Sequence, residues 1–233
     1  MEVVVLHYHG TPITPRSALY RLAGRHFCVS YSDPRDVEVC HQIGQSVMLD
    51  NGAFSFWTRG KPVDWAEYIR WASPWLEHPT TWAVIPDVID GSEHDNMALY
   101  CWVANNYRWF WRRAAPVWHM HESIAYLVML CRSHERVCIG SSGEYRDPGT
   151  TKWGRRLDEA MAAVECNYLT GTKLHMLRAM SHASSGRWPF ASADSTNVAR
   201  NHHAGQAEVL AARVDAKQAP GVWKPVGEQL TLL

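Results

Sequence analysis

The sequence has no C-x-x-C pair among its six cysteines (Cys28, Cys40, Cys101, Cys131, Cys138 and Cys166). That excludes a zinc ribbon or knuckle built on such spacing. Several of these residues sit inside apolar runs, as in Phe27-Cys28-Val29 and Val137-Cys138-Ile139, and are expected to be free thiols packed as small hydrophobes in a reducing compartment. An excess of charge is also missing. Lys plus Arg and Asp plus Glu both number 23, which excludes a binder of histone type whose basicity is global, but leaves room for an enzyme with a local basic patch. No apolar run approaches the length of a membrane span. The opening Met1-Glu2-Val3-Val4-Val5-Leu6 lacks the basic start and the length of a secretion signal, so a soluble cytoplasmic protein is expected. No linker rich in Pro, Gly and Ser divides the chain.

What the chain does have is apolar material. Of 233 residues, 46% are hydrophobic and 20% charged, enough to bury a real core. Twelve are tryptophan, whose flat faces serve a core, its rim or base stacking. Eight short runs are nearly continuously apolar, at 3–8, 27–31, 46–50, 82–86, 116–119, 136–140, 173–177 and 190–193. Parallel strands buried on both faces read this way. Helical stretches lie between them. One opens at Asp64 as N-cap with Glu67 three residues on. Others cover 92–111, 123–130 and 152–164. The pattern predicts an α/β fold, a single (β/α)8 barrel over residues 1–205, with an open parallel sheet as the alternative. Residues 206–233 are expected to add a C-terminal helix at 207–217 and a tail.

In such a barrel the chemistry sits at the C-terminal ends of the strands. Those ends carry His7-Tyr8-His9-Gly10, Ser32-Asp33, Asp50-Asn51-Gly52, Asp87, His119-Met120-His121-Glu122, Gly140-Ser141-Ser142-Gly143-Glu144, His175 and Asp194-Ser195. Asp50, Asp87 and Asp194 end three different strands and would be aimed at one mouth. Converging carboxylates repel, so at least one should hold a proton near neutrality. One ionised and one protonated carboxyl make the pair needed for substitution at an anomeric carbon. The glycines of Asn51-Gly52-Ala53 and Gly140-Ser141-Ser142-Gly143 allow close approach of backbone N–H groups to a flat or anionic ligand.

These elements, in this order, resemble the tRNA-guanine transglycosylase superfamily. The chain is most similar to the small phage-type DNA-guanine transglycosylases that insert 7-deazaguanines into DNA. The resemblance rests on Met48-Leu49-Asp50-Asn51-Gly52-Ala53-Phe54, Pro86-Asp87, Ile139-Gly140-Ser141-Ser142-Gly143-Glu144, Lys173-Leu174-His175-Met176-Leu177, and Ala193-Asp194-Ser195 followed by Ala199-Arg200-Asn201. It implies a pentosyltransferase that needs no cofactor. Asp194 would attack C1′ of a target guanosine and expel guanine, leaving a covalent sugar ester. Asp50 would be the general acid and base. Asp87 would accept from N1–H and the exocyclic amine of guanine, and backbone near Gly140 and Ser141 would meet its carbonyl edge. Asn51, Gly52, Ser142, His175 and His119 complete the expected substrate-binding set. The cysteine-rich zinc element of the tRNA enzymes has no counterpart, and Asn51 and Ala53 stand where the family has Ser and Gly. With the short chain, this points to DNA rather than tRNA, with a flipped or single-stranded guanine and a free 7-deazaguanine base as the partners.

Cations for the phosphates are sought at Arg108, Arg112 and Arg113, interleaved with Trp109, Phe110 and Trp111, and at Lys152, Arg155 and Arg156 beside Trp153. The last residues, Gln229-Leu230-Thr231-Leu232-Leu233, resemble the peptide that docks on bacterial sliding clamps, with Gln229, Leu230, Leu232 and Leu233 as its contacts. Two other functions fit parts of the sequence. A metal-dependent hydrolase similar to the amidohydrolase barrels would use His7, His9 and Asp194, with His119 or His121 as a further ligand. A non-catalytic nucleic-acid-binding barrel would use none of the acids.

Overall fold

The computed structural model describes residues 5–183, 187–203 and 206–223. The strands are β1 (Leu6–Gly10), β2 (His26–Ser30), β3 (Ser46–Asp50), β4 (Thr81–Val84), β5 (Ala114–Ala115), β6 (Val117–His119), β7 (Arg136–Gly140), β8 (Lys173–Met176) and β9 (Ser192–Ser195). All pairings are parallel, in the order β5-β4-β3-β2-β1-β9-β8-β7-β6.

The two end strands of that sheet, β5 and β6, are separated in the chain only by Pro116. The Ala115 carbonyl accepts from Ile85 N–H on the β4 side, and the Pro116 carbonyl accepts from Cys138 N–H on the β7 side, each at 2.8 Å. Residues 114–119 therefore act as one strand position, interrupted where proline lacks an N–H, and the sheet rolls up into a TIM-type barrel. The expected eight strand positions are all present. The last run shifts from 190–193 to Ser192–Ser195. The reason is that Trp188 and Phe190 are buried before the chain reaches the flanking strands, which their apolar character alone does not reveal.

Eleven helices accompany these strands among the described residues: α1 (Arg16–Tyr20), α2 (Val37–Ile43), α3 (Ala53–Thr58), α4 (Trp65–Ala72), α5 (Glu93–Asn106), α6 (Arg108–Arg113), α7 (Ile124–Ser133), α8 (Thr151–Cys166), α9 (Met180–Ala183), α10 (Asn197–Asn201) and α11 (Ala207–Asp215). Local chemistry starts several of them. Asp64 accepts from Glu67 N–H, Ser123 from Tyr126 N–H and Thr150 from Trp153 N–H, each cap contributing about 1 kcal/mol. Ser92 and Asp95 form a reciprocal capping box at α5. The helix expected over 92–111 is broken at Tyr107, whose φ of −136° and ψ of 51° leave the helical region.

Side chains alternate along the strands and build two cores. Phe27, Val29, Val47, Leu49, Trp118, Ile139, Leu174 and Met176 face the helices. Tyr8, Cys28, Met48, Trp82, Val84, Ala115, Val117 and Cys138 fill the barrel. Burial pushes the Cys28 and Cys138 thiols well above their usual range, so they pack as hydrophobes. Tyr8, Trp82 and His175 meet edge to face at 5.7, 5.9 and 5.1 Å between ring centres, forming a floor across the interior. Above it, every strand delivers its C-terminal residue to one mouth. No helix among the described residues is long and apolar enough to cross a membrane.

Candidate active site

Asp50 is the last residue of β3, on the same strand face as the interior Met48. Its Oδ2 accepts from Gly52 N–H at 3.1 Å, and Ser30 also bonds to it. The Gly52 turn requires φ of +75°, which glycine adopts without penalty. Burial first, then the charge of Asp194, raise Asp50 from the usual carboxylate range to about 6. Asp87 adds to the rise, and the Ser30 bond and Arg178 oppose it. Asp50 is thus poised to carry a proton near neutrality.

Asp194 lies on β9. Its Oδ1 receives two N–H groups, His175 Nε2 at 3.3 Å and the backbone of Arg178 at 3.1 Å. Oδ2 makes no hydrogen bond among the described residues. The two carboxyls differ in their surroundings: one is held by donors suited to an anion, the other is pushed toward its neutral form.

Arg178 is not among the residues the sequence nominates. Its only signal there is a cation placed directly after the run 173–177. Its φ of +66° is rare for a side-chain-bearing residue and turns its N–H onto Asp194. Its guanidinium carbon lies 3.1 Å from the centre of the Phe54 ring. Desolvation lowers the pKa of this guanidinium, while the charges of Asp50, Asp194 and Asp87 act to raise it, so one cation answers all three acids.

Asp87 is buried at the end of the β4 run. Asn51 Nδ2 donates to its Oδ1 at 2.7 Å and to the Ile85 carbonyl at 2.9 Å, while Asn51 Oδ1 takes the Ala53 N–H. His119 Nε2 meets Asp87 Oδ2 at 2.9 Å. Burial alone lowers the pKa of His119, but the bond and charge of Asp87 and the charge of Glu122 outweigh it and raise it. His119 Nδ1 has no hydrogen-bond partner among the described residues. Next to this pair, Glu122 accepts from His119 N–H at 2.7 Å and Asn96 Nδ2 at 2.9 Å, and burial raises its carboxyl to about 7.

The glycine-rich turn after β7 is partly occupied by structural bonds. A side chain at Gly140 would meet His119 Nδ1 and Val117 Cγ1 at 3.3 Å, so glycine there makes room for the imidazole. Ser141 Oγ accepts from Trp153 Nε1 at 2.9 Å. Ser142 Oγ lies 2.8 Å from His121 Nδ1, and His121 Nε2 bonds the Gly91 carbonyl. Asp50, Asn51, Gly52, Asp87, His119, Gly140, His175 and Asp194 therefore share the mouth or the barrel just beneath it. The Ser141 and Ser142 hydroxyls hold neighbouring loops.

Two expected groupings do not form. His7 and His9 flank the interior Tyr8 and so face outward. His7 Nε2 bonds the Lys217 carbonyl at 2.8 Å and His9 Nε2 bonds Asp215 at 3.0 Å, tying β1 to the C-terminal segment. Burial, then the charge of Arg25, push His9 down to about 4, so this is a bond from a neutral ring rather than an ion pair. The hydrolase grouping of His7, His9 and Asp194 is thereby overturned: strand alternation puts the histidines on the opposite face from the acid. No group of three or more His, Cys, Asp or Glu suited to a metal ion occurs among the described residues.

The second grouping is the Arg108, Arg112 and Arg113 cluster. It lies on α6, which leads directly into the start of β5, so these cations sit at the end of the barrel opposite the acids. Phe110 between them is core, and Arg113 stacks on the exposed Trp109. Lys152 and Arg155 stand in the first turns of α8, which follows the mouth loop of β7. Lys152 pairs with Glu144, and Arg156 is spent on the Met120 and Glu122 carbonyls. The exposed Phe54 and Trp57 and the cations Arg35, Arg59 and Arg200 lie on the loops and short helices that leave the mouth. The proposed clamp contacts Gln229, Leu230, Leu232 and Leu233 lie outside the described residues.

No family model matches the chain, and no curated protein matches it.

Proposed function

We propose that the protein is a base-exchange glycosyltransferase that replaces guanine in DNA with a 7-deazaguanine base through a covalent Asp194–sugar intermediate. The observation that carries this reading is the division of labour between Asp50 and Asp194. One carboxyl is raised to about 6 by burial and its neighbour, and the other presents a free Oδ2 while two N–H groups hold Oδ1.

In the first half-reaction Asp194 Oδ2 attacks C1′ of the target nucleotide. The C1′–N9 bond breaks, its electron pair leaves with guanine, and the Asp50 proton neutralises the expelled ring. In the second half Asp50 takes a proton from the incoming base. Its N9 then attacks C1′, the C1′–Oδ2 bond breaks, and Asp194 recovers its charge. Asp87 and His119 supply recognition. Asp87 keeps lone pairs to accept N–H groups of the base. When protonated, His119 also offers Nδ1–H, a donor for the adjacent carbonyl. A hydrogen-bonding pair of this kind rejects a base that lacks either group strongly, because the buried partners are left unpaired. A target inside a duplex must be flipped out or already single-stranded to reach the mouth.

The test is incubation of guanine-containing single-stranded DNA, and separately tRNA, with 7-deazaguanine bases, followed by mass spectrometry of the nucleosides. Incorporation into DNA is expected with the wild type. Asp194→Ala should abolish it while DNA binding survives. Incorporation at the wild-type rate by that variant rejects Asp194 as nucleophile. Incorporation into tRNA alone rejects DNA as the substrate.

A further inference from the structure

Beneath Asp194 a line of buried polar groups crosses the barrel interior. Arg136 Nη1 donates to Ser192 Oγ at 3.2 Å. Ser192 Oγ lies 2.8 Å from His175 Nδ1, and His175 Nε2 lies 3.3 Å from Asp194 Oδ1. Ser192 and His175 are both fully buried, and the Arg136 guanidinium is stacked 4.5 Å above the Trp82 ring. The two ends of this line have fixed directions. A guanidinium only donates and a carboxylate only accepts. Ser192 has one hydrogen and His175 must serve two partners. Burial lowers the His175 pKa and favours the neutral ring, and for a neutral ring the arrangement that satisfies every contact runs from Arg136 to Ser192, from Ser192 to His175 Nδ1, and from His175 Nε2–H to Asp194.

We infer that Arg136 and Ser192 are positioning residues that lock His175 in the Nε2–H form, so that its N–H, with that of Arg178, holds Asp194 Oδ1 and governs the release of the sugar from Asp194. This rests on the reading of Asp194 as nucleophile. When Oδ2 is bonded to C1′, Oδ1 is an ester carbonyl and its two donors gain little. When the ester resolves, charge returns to the carboxylate and both donors strengthen. They therefore favour the free carboxylate over the ester and ease the second half-reaction more than substrate binding. Phe in place of His175 would remove the donor, and Gln would restore one.

Two measurements test this. The first is the long-range 1H–15N spectrum of the imidazoles in the free protein, with the His175 signal assigned by its loss in His175→Gln. The wild type should show neutral Nε2–H, and Ser192→Ala should shift His175 toward the Nδ1–H form. A wild-type ring protonated on Nδ1, or a Ser192→Ala ring with an unchanged tautomer, overturns the lock whatever the activity. The second is the fraction of enzyme trapped as a DNA adduct on denaturing gels during turnover. Ser192→Ala should raise that fraction and lower kcat by about 10-fold with kcat/KM for DNA unchanged, and His175→Phe should lower kcat by up to about 100-fold, the range for one hydrogen bond to a charged group. His175→Gln should recover part of the loss. An adduct fraction equal to the wild type in all three variants overturns the role in release. If the wild type forms neither adduct nor exchanged base while the spectrum shows Nε2–H, the base-exchange reading and the release role fall while the lock stands.

Discussion

Asp87 Oδ2 and His119 Nε2 lie 2.9 Å apart, and only 7% of the one residue and 3% of the other reach solvent. Asn51 donates to Asp87 and Glu122 takes the backbone N–H of His119, so neither group has water to fall back on. Removing one partner strands the other. His119→Ala should destabilise the protein by about 3–5 kcal/mol in urea unfolding, the cost of an unpaired buried charge. His119→Gln, which keeps a donor, should cost less.

The carboxyl that accepts from His119 N–H sets a pH dependence. Burial raises Glu122 from 4.5 to about 7 in the folded protein, so the fold binds its proton more tightly than the unfolded chain does. The stabilisation from this group is fully present below about pH 4.5 and is lost as the pH rises through about 7, a loss of about 3 kcal/mol. His119, also raised, loses its contribution in the same direction as the pH climbs past its folded value. Unfolding curves at pH 5 and pH 8 should show the wild type losing stability, and Glu122→Gln should flatten that change.

Asp50 should be visible in the rate. On the base-exchange reading its protonated form serves guanine departure, and its folded pKa is about 6. Single-turnover guanine release should fall as the pH rises above that value. Asp50→Asn should lower release by about 100-fold or more and remove that limb of the profile.

The turn after β3 should tolerate little. A methyl group on Gly52 would come within 3.0 Å of Ser32 N and Phe56 Cε2, at a φ of +75°. Gly52→Ala should cost about 1–3 kcal/mol and displace the N–H that bonds Asp50. Asn51→Asp, which sets a second carboxylate against Asp87, should be worse for exchange than Asn51→Ala.

Charge removal should separate the two ends of the barrel. Replacing Arg59 and Arg200 together by Ala should weaken single-stranded DNA binding and reduce its salt slope by about 1–2. Replacing Arg112 and Arg113 should leave both unchanged. Equal effects from the two pairs would count against a nucleic acid seated at the mouth.

The barrel was legible because buried parallel strands are written as apolar runs and the acids follow them directly. The run 46–50 coincides with β3 and 136–140 with β7. What the sequence hides is orientation. His7 and His9 share a strand face by period two, but nothing in the local pattern says whether that face is the interior. The Arg108–Arg113 stretch shows charge among aromatics, and its direct entry into the start of β5 puts it at the bottom. Arg178 depends on a left-handed backbone that no residue type announces. Glu122 and Ser192 look like ordinary loop and strand residues until their partners, remote in sequence, are brought to them.

The aromatic floor of Tyr8, Trp82 and His175 makes the cavity blind. On the base-exchange reading a departing nucleobase has no second exit below, so it must vacate the mouth before its replacement stacks there. The two half-reactions of that reading would thereby be separated in time, and steady-state kinetics should follow a ping-pong pattern, with the leaving guanine competing against the incoming base for one seat.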